Sequence, residues 1–228
     1  MTTSEAVRRL PLLAHLDDPS RELVAEAGAI RGVSRGAILF HEGTPADAMY
    51  GLLAGQVKLV RYSARGRELL LHLVRGGQTF AEAALFGSGT YPATAEVIED
   101  GEVWVLGRER LLALVERAPE LGLALAGSVS VWTRRLVNTL ELMTQRRVEE
   151  RVAVYLMARA GDRDLAAGDR ILLSDARQLI AAQIGTAPEV LSRTVRRLED
   201  EGVLSSDPRG VTVLDPLRLR ELAEWIED

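Results

Sequence analysis

The 228-residue sequence predicts an α+β chain. It should hold an N-terminal antiparallel β jelly-roll barrel, a long dimerisation helix and a C-terminal winged helix-turn-helix. Three observations predict this. Short apolar runs separated by glycine or polar pairs recur from residue 30 to residue 106, as many short antiparallel strands would. An apolar stripe in steps of 3 and 4 then runs along a helix that opens at Pro119. Finally, Ile180 to Leu198 reads as two short helices joined by a tight turn, with a hairpin after them. The expected domains are 1–118 for the barrel, 119–147 for the dimerisation helix and hinge, and 148–228 for the winged helix.

Composition narrows the function. Apolar residues make up 47%, enough for real cores, but aromatics only 4%, so Leu, Val, Ala and Ile must fill them. A net charge of −5 argues against non-specific polyanion binding, so any DNA contact needs a local basic face. The absence of cysteine excludes disulfides, thiolate zinc sites and cysteine-ligated iron–sulfur clusters. There is no signal-peptide pattern and no apolar run of membrane-spanning length. A soluble, cytoplasmic protein without a membrane partner is therefore expected.

Residues 3–16 are expected to form an amphipathic helix with Val7, Leu10, Leu13 and Leu16 on one side. Pro19-Ser20 opens a second helix, ending near Gly28. Strands are expected at 37–40, 48–53, 56–62, 68–74, 93–98 and 102–106. Their breaks are His41 to Pro45, Ala54-Gly55, Ala64 to Gly66, Gly76-Gly77 and Asp100-Gly101. Phe80 to Phe86 reads as a helical turn inserted between strands. It would aim N–H groups and Glu82 at the barrel interior, as part of a ligand pocket or as a packed connector.

Arg108 to Glu116 is a further helix. In the long helix, Leu125, Val129, Trp132, Leu136, Leu140 and Met143 form a stripe suited to pairing with its copy in a parallel homodimer. Leu121, Val131, Val137 and Leu142 give a second apolar side, which a helix lying on its own barrel would use. Gln145-Arg146-Arg147 breaks the stripe and reads as a hinge. Val148 to Ala160 is helical again, and 161–169 is a polar loop.

In the helix-turn-helix, Ala181 is small where the helices cross, and Gly185 sits where the turn needs positive φ. Ile180, Ile184, Leu191, Val195 and Leu198 should be buried, and Pro188 fits the first turn of the second helix. The opposite face carries Glu189, Ser192, Arg193, Arg196 and Arg197, with Thr186 in the turn. Arg193 has the planar fork that matches guanine O6 and N7, and Glu189 can accept from cytosine N4. Ser192 can reach a base edge or a phosphate, while Arg196 and Arg197 suit phosphates. Residues 202–213 form the wing, with the turn expected over 205–210. Asp215-Pro216 caps a last helix anchored by Leu217, Leu219, Leu222 and Trp225.

Three stretches carry a resemblance: Gly76-Gly-Gln-Thr-Phe-Ala-Glu-Ala83, Tyr91-Pro-Ala-Thr-Ala-Glu96 and Gly185-Thr-Ala-Pro-Glu-Val-Leu-Ser-Arg193. With the element order, they resemble the Crp/Fnr superfamily of bacterial transcription regulators over nearly the whole chain. The resemblance implies a cyclic-nucleotide-binding-like barrel and a homodimeric regulator of transcription, with RNA polymerase as a partner in activation. The Glu-x-x-Ser-Arg of Glu189 to Arg193 resembles the Fnr-type reading head, which implies an inverted repeat of half-sites close to TTGAT.

The effector region departs from the cyclic-AMP pattern. Members that bind cyclic AMP carry Gly-Glu in the inserted helix and, a little later, Arg-Ser or Arg-Thr. Here the corresponding residues are Ala81-Glu82 and Tyr91-Pro92, with Thr94 beside them. Glu82 can still bond a ribose hydroxyl, but no arginine neutralises the cyclic phosphate, and burying that charge unpaired is costly. Control by cyclic AMP is not expected. The stretches 79–83 and 91–95 look most like the nitric-oxide-responsive Dnr/Nnr branch, which is linked to haem. That makes haem a candidate cofactor and His72, His15 and His41 its candidate axial ligands. The other reading is a barrel that binds no effector, in a dimer active whenever it is made. An enzyme is not expected: a cupin-type metal site needs paired histidines, and no Ser/His/Asp set, carboxylate pair or phosphate loop is present.

Overall fold

In the computed structural model, residues 3–8, 10–14, 16–63, 65–66, 68–87, 89–161 and 163–224 are described, with side chains at 3, 4, 6, 135 and 138–145 left aside. The chain divides into two compact units, Met1–Arg134 and Arg135–Asp228.

Unit one opens with α1 (Thr3–Arg8), a 3-10 turn (Pro11–Leu13) and α2 (Asp18–Ala27). The single helix expected over 3–16 is thus broken. Pro11 has no N–H to bond backwards, so the chain restarts as a tighter turn. Val7, Leu10, Leu13 and Leu16 are nonetheless all buried. Asp17 caps α2 by accepting from the Ser20 N–H at 2.9 Å.

The strands are β1 (Ala29–Val33), β2 (Ile38–Phe40), β3 (Ala48–Tyr62), β4 (Glu68–Arg75), β5 (Gln78–Phe80) and β6 (Thr94–Gly107), all antiparallel, with α3 (Glu82–Phe86) after β5. The four strands expected at 48–53, 56–62, 93–98 and 102–106 are two long ones. Register shifts between Leu52 and Val57 bend the β3–β6 pair in the middle. One half runs β1, β6 (101–105), β3 (50–52), β5; the other runs β2, β6 (95–96), β3 (57–60), β4. The two halves share β3 and β6. Phe40 of one half meets Tyr50 and Phe80 of the other, with ring centroids 5.4 and 6.3 Å apart.

Trp104, Met49, Leu52 and Leu106 fill the core. The Trp104 indole N–H donates to the Ala25 carbonyl at 3.1 Å, which ties α2 to the sheet. α4 (Arg108–Arg117) and α5 (Pro119–Gln145) follow. The start of α5 joins this core through Leu121 and Leu125, both buried in its cluster. Further along, Val129, Val131, Leu136 and Val137 are exposed. Among the described residues, no helix is long and apolar enough to cross a membrane.

Unit two, beyond the end of α5, contains α6 (Val148–Ala160), β7 (Arg170–Leu172), α7 (Arg177–Gln183), α8 (Pro188–Asp200), β8 (Leu204–Asp207), β9 (Gly210–Val213) and α9 (Pro216–Ala223). The wing is a three-stranded antiparallel sheet in the order β7-β9-β8. β7 adds a third strand to the expected two-stranded hairpin, and the turn expected over 205–210 narrows to Pro208-Arg209. Asp215 caps α9 by accepting from the Arg218 N–H at 2.9 Å. Leu219 and Leu222 anchor that helix, but Leu217 is 68% exposed, because the helical period turns it away from them. Trp225 lies outside the described residues.

Candidate nucleic-acid interface

The two helices of the candidate site are fixed before either presents a side chain. Gly185 ends α7 with φ of +66°, and the Thr186 N–H turns back to the Ala181 carbonyl at 2.9 Å. Arg151 of α6 donates to the carbonyls of Ile184 and Gly185 at 2.9 and 3.0 Å, pinning the turn from below. The buried Asp175 accepts from Arg159 of α6 and from Gln183 of α7, the latter at 3.3 Å, which locks those helices together. Sequence reasoning missed these residues, since their partners are distant in the chain.

The orientation of α8 follows from its apolar face. Leu191, Thr194 and Leu198 are buried and Val195 is partly buried, packed with Ile180, Ala181 and Ile184. That leaves Glu189, Ser192, Arg193, Arg196 and Arg197 exposed, with Thr186 half-buried in the turn. The exposed five fall at steps of 3, 1, 3 and 1, which makes them neighbours on one helix surface. A helix of this kind, about 10–12 Å across, fits a major groove about 12 Å wide. Glu189 and Arg193, one turn apart, set an acceptor beside a forked donor.

Arg197 is ion-paired with Glu149 of α6 at 2.5 Å. Two further features escaped the sequence. The exposed Arg209 sits in the wing turn, where its N–H donates to the Asp207 carboxylate at 2.7 Å. That amide and the neighbouring Arg170 hold the Asp207 carboxyl below its ordinary range. Glu199, near the end of α8, accepts from the Ser206 N–H at 2.7 Å and is likewise held low by its bonds to Ser206. The wing is therefore fastened to α8.

The proposed effector residues are inwardly occupied. Ala81 caps α3 with φ of +69°, the one non-glycine positive φ among the described residues, a strained conformation costing about 1 kcal/mol or more. Glu82 is 2% exposed and accepts from the Ser128 hydroxyl of α5. Tyr91 is 2% exposed, and its ring stacks on Phe40 at 3.8 Å. Its hydroxyl lies 2.8 Å from the Ala48 carbonyl and 3.0 Å from the Asp47 carboxylate, and burial pushes its ionisation up. The Thr94 hydroxyl accepts from the Glu42 N–H at 3.0 Å. Tyr91 and Thr94 thus hold the core and the turn after β2 in place.

Of the candidate haem ligands, His72 is half-buried with its ring edge-on to Trp132, at 82° and 4.1 Å between centroids. His41 is exposed in a turn, and His15 lies outside the described residues. Among the described residues, no group of three or more His, Cys, Asp or Glu is placed to hold a metal ion. In the expected dimer stripe, Leu125 is buried in the core of its own unit and Trp132 packs on His72. Val129 and Leu136 are exposed, 38% and 57%, and the side chains of Leu140 and Met143 lie outside the described ones.

Known proteins match this architecture along its length. Residues 30–118 match the cyclic nucleotide-binding domain family, and residues 150–222 match the Crp-like helix-turn-helix domain family. The chain is 32% identical over 189 residues to the cyclic AMP receptor protein of Thermus thermophilus, covering 83% of this chain and 85% of that protein. It shares its fold with FixK2 from Bradyrhizobium japonicum (TM-score 0.73, 21% identity, 88% of this chain and 99% of that one). It is also similar to DNR from Pseudomonas aeruginosa (TM-score 0.50, 27% identity, 96% of each chain). An antiparallel roll, a long helix and a winged reading head, matched in this order, place the chain in the Crp/Fnr family of DNA-binding transcription regulators.

Proposed function

We propose that this protein is a homodimer that reads an inverted repeat of TTGAT-like half-sites and works without cyclic AMP. The observation that carries this reading is the exposed row on α8, Glu189, Ser192, Arg193, Arg196 and Arg197, set opposite a buried apolar face. Arg193 on guanine and Glu189 on cytosine are the two sides of one base pair. Ser192 takes a base edge or a phosphate. Arg196 and Arg197 meet phosphates, which set register and not sequence, and Thr186 meets the backbone from the turn. Two copies of α8 enter successive major grooves about 34 Å apart. The exposed Val129 and Leu136 carry the dimer seam, continued by Leu140 and Met143.

The domains act as a roll over 1–118, a pairing helix and hinge over 119–147 and a reading head over 148–228. The protein is cytoplasmic, catalyses no reaction and engages RNA polymerase when bound at a promoter. Independence from cyclic AMP is supported by Tyr91-Pro92, which brings no cation, and by the contact of Glu82 with Ser128. Between an effector-free regulator and a haem-linked gas sensor, the packing of His72 against Trp132 favours the first.

The test is fluorescence anisotropy with a TTGAT-N4-ATCAA duplex at fixed salt, using protein alone, with cyclic AMP, and with haem. Tight binding by protein alone, unchanged by either addition, is expected. Binding only with haem would restore the gas-sensor reading. No preference over a scrambled duplex would remove the half-site assignment.

A further inference from the structure

Arg197 does not wait unengaged for DNA. Its guanidinium is paired with the carboxylate of Glu149 at 2.5 Å, and the same carboxylate pairs with Arg147 at 2.9 Å. The Glu149 side chain is only 14% exposed, while that of Arg197 is 55% exposed. Glu149 lies in the first turn of α6, where the helix dipole favours a carboxylate. Arg147 caps that helix, two residues beyond the end of α5. Glu150 grips Arg147 as well, through its N–H and its guanidinium, each at 2.9 Å. A chain of charges thus runs from the hinge to the reading helix.

A carboxylate and a phosphate oxygen compete for the same guanidinium N–H groups. We propose that Glu149 restrains Arg197: in the DNA-free protein it holds the guanidinium that must turn to a backbone phosphate on binding, and Arg147 at the hinge shares its charge. The inference rests on the reading of Arg197 as a phosphate contact. Phosphates carry no sequence information, so the restraint lowers affinity for every duplex alike and leaves discrimination to the base contacts. Glu149 is a positioning residue acting through Arg197.

The experiment uses the full-length protein, the TTGAT-N4-ATCAA duplex and a scrambled duplex of equal length, each over a salt series. Glu149→Gln is expected to bind both about 3- to 10-fold tighter at low salt, with a salt slope steeper by about one per subunit. In an Arg197→Ala background the same substitution is expected to change neither quantity. A gain that persists undiminished there would be general charge repulsion from DNA and would overturn the proposal. So would Glu149→Gln binding no tighter, or more weakly. If Arg197→Ala alone left affinity and salt slope unchanged, the phosphate reading itself would fall, an outcome distinct from a failure of Glu149. Unchanged thermal melting of the variants shows that the fold is intact.

Discussion

The rings of His72 on β4 and Trp132 on α5 stand nearly perpendicular, 4.1 Å apart between centroids, and so tie the roll to the long helix. Ser128 stands one helical turn before Trp132 and bonds Glu82 of α3. One face of α5 is thus engaged with its own roll. A double-mutant cycle of His72→Ala and Trp132→Ala should give a coupling of about 0.5–1.5 kcal/mol in denaturant unfolding. Additive losses would show that the two rings do not support each other.

Gly185 holds the turn between α7 and α8 at φ of +66°, where a side chain is strained. Gly185→Ala should lower unfolding stability by about 1–2 kcal/mol, and it should weaken DNA binding by tilting α8. A variant as stable as the parent would mean that the turn relaxes without cost.

Parts of this molecule are legible from local chemistry. The buried and exposed faces of α8 follow from 3- and 4-residue spacing, and the Asp215 cap from its own turn. What is not legible depends on distant partners. Ala54-Gly55 and Asp100-Gly101 look like hairpin turns, but they are where two long strands pass close together. A Cβ on Gly55 would lie 2.7 Å from the carbonyl oxygens of Glu99 and Asp100, and one on Gly101 would lie 2.0 Å from the Ala54 oxygen. β7 has a single buried apolar residue, Ile171, and exists because β9 pairs with it. In the candidate site, no local pattern announces that Arg151 holds the turn or that Glu149 holds Arg197. Resemblance places Tyr91 in the effector region, and only packing reveals its place against Phe40.

Acid should loosen the reading head. Bonds to Ser206 lower the Glu199 pKa from the ordinary 4.5, and the Arg209 amide with Arg170 lowers that of Asp207 from 3.8. Carboxylates depressed in the folded state add stability that is present above their unfolded pKa and lost as pH falls through the folded one. Glu199→Gln should therefore melt below the parent at pH 7, with the gap closing below about pH 4. A gap that is constant across this range would assign the effect to packing.

The exposed Leu136 tests the dimer seam, being 57% exposed where Leu125 is already buried. Leu136→Asp would place two like charges across a parallel helix pair and lose the apolar contact. At micromolar concentration, light scattering should show a shift from dimer to monomer, with binding to the inverted repeat falling in step. A variant that stays dimeric would move the seam to the Leu123–Val131–Val137 side.

The sharpest division lies within α8 itself. Arg193 and Arg196 are both exposed arginines one turn or less apart, so charge alone does not distinguish them. Arg193 stands one turn after Glu189, and the two together can address both bases of one G·C pair. Arg196 lies three residues further along the helix, and its proposed role is a phosphate contact. Arg193→Ala should cost about 1–3 kcal/mol on the inverted repeat and relax base choice at one position of each half-site. Arg196→Ala should weaken all duplexes alike and reduce the salt slope by about one per subunit. Competition with single-base variants of the duplex separates the two. If both substitutions lowered affinity uniformly, Arg193 would be a phosphate contact and the base pair assigned to it would have to be read by another residue.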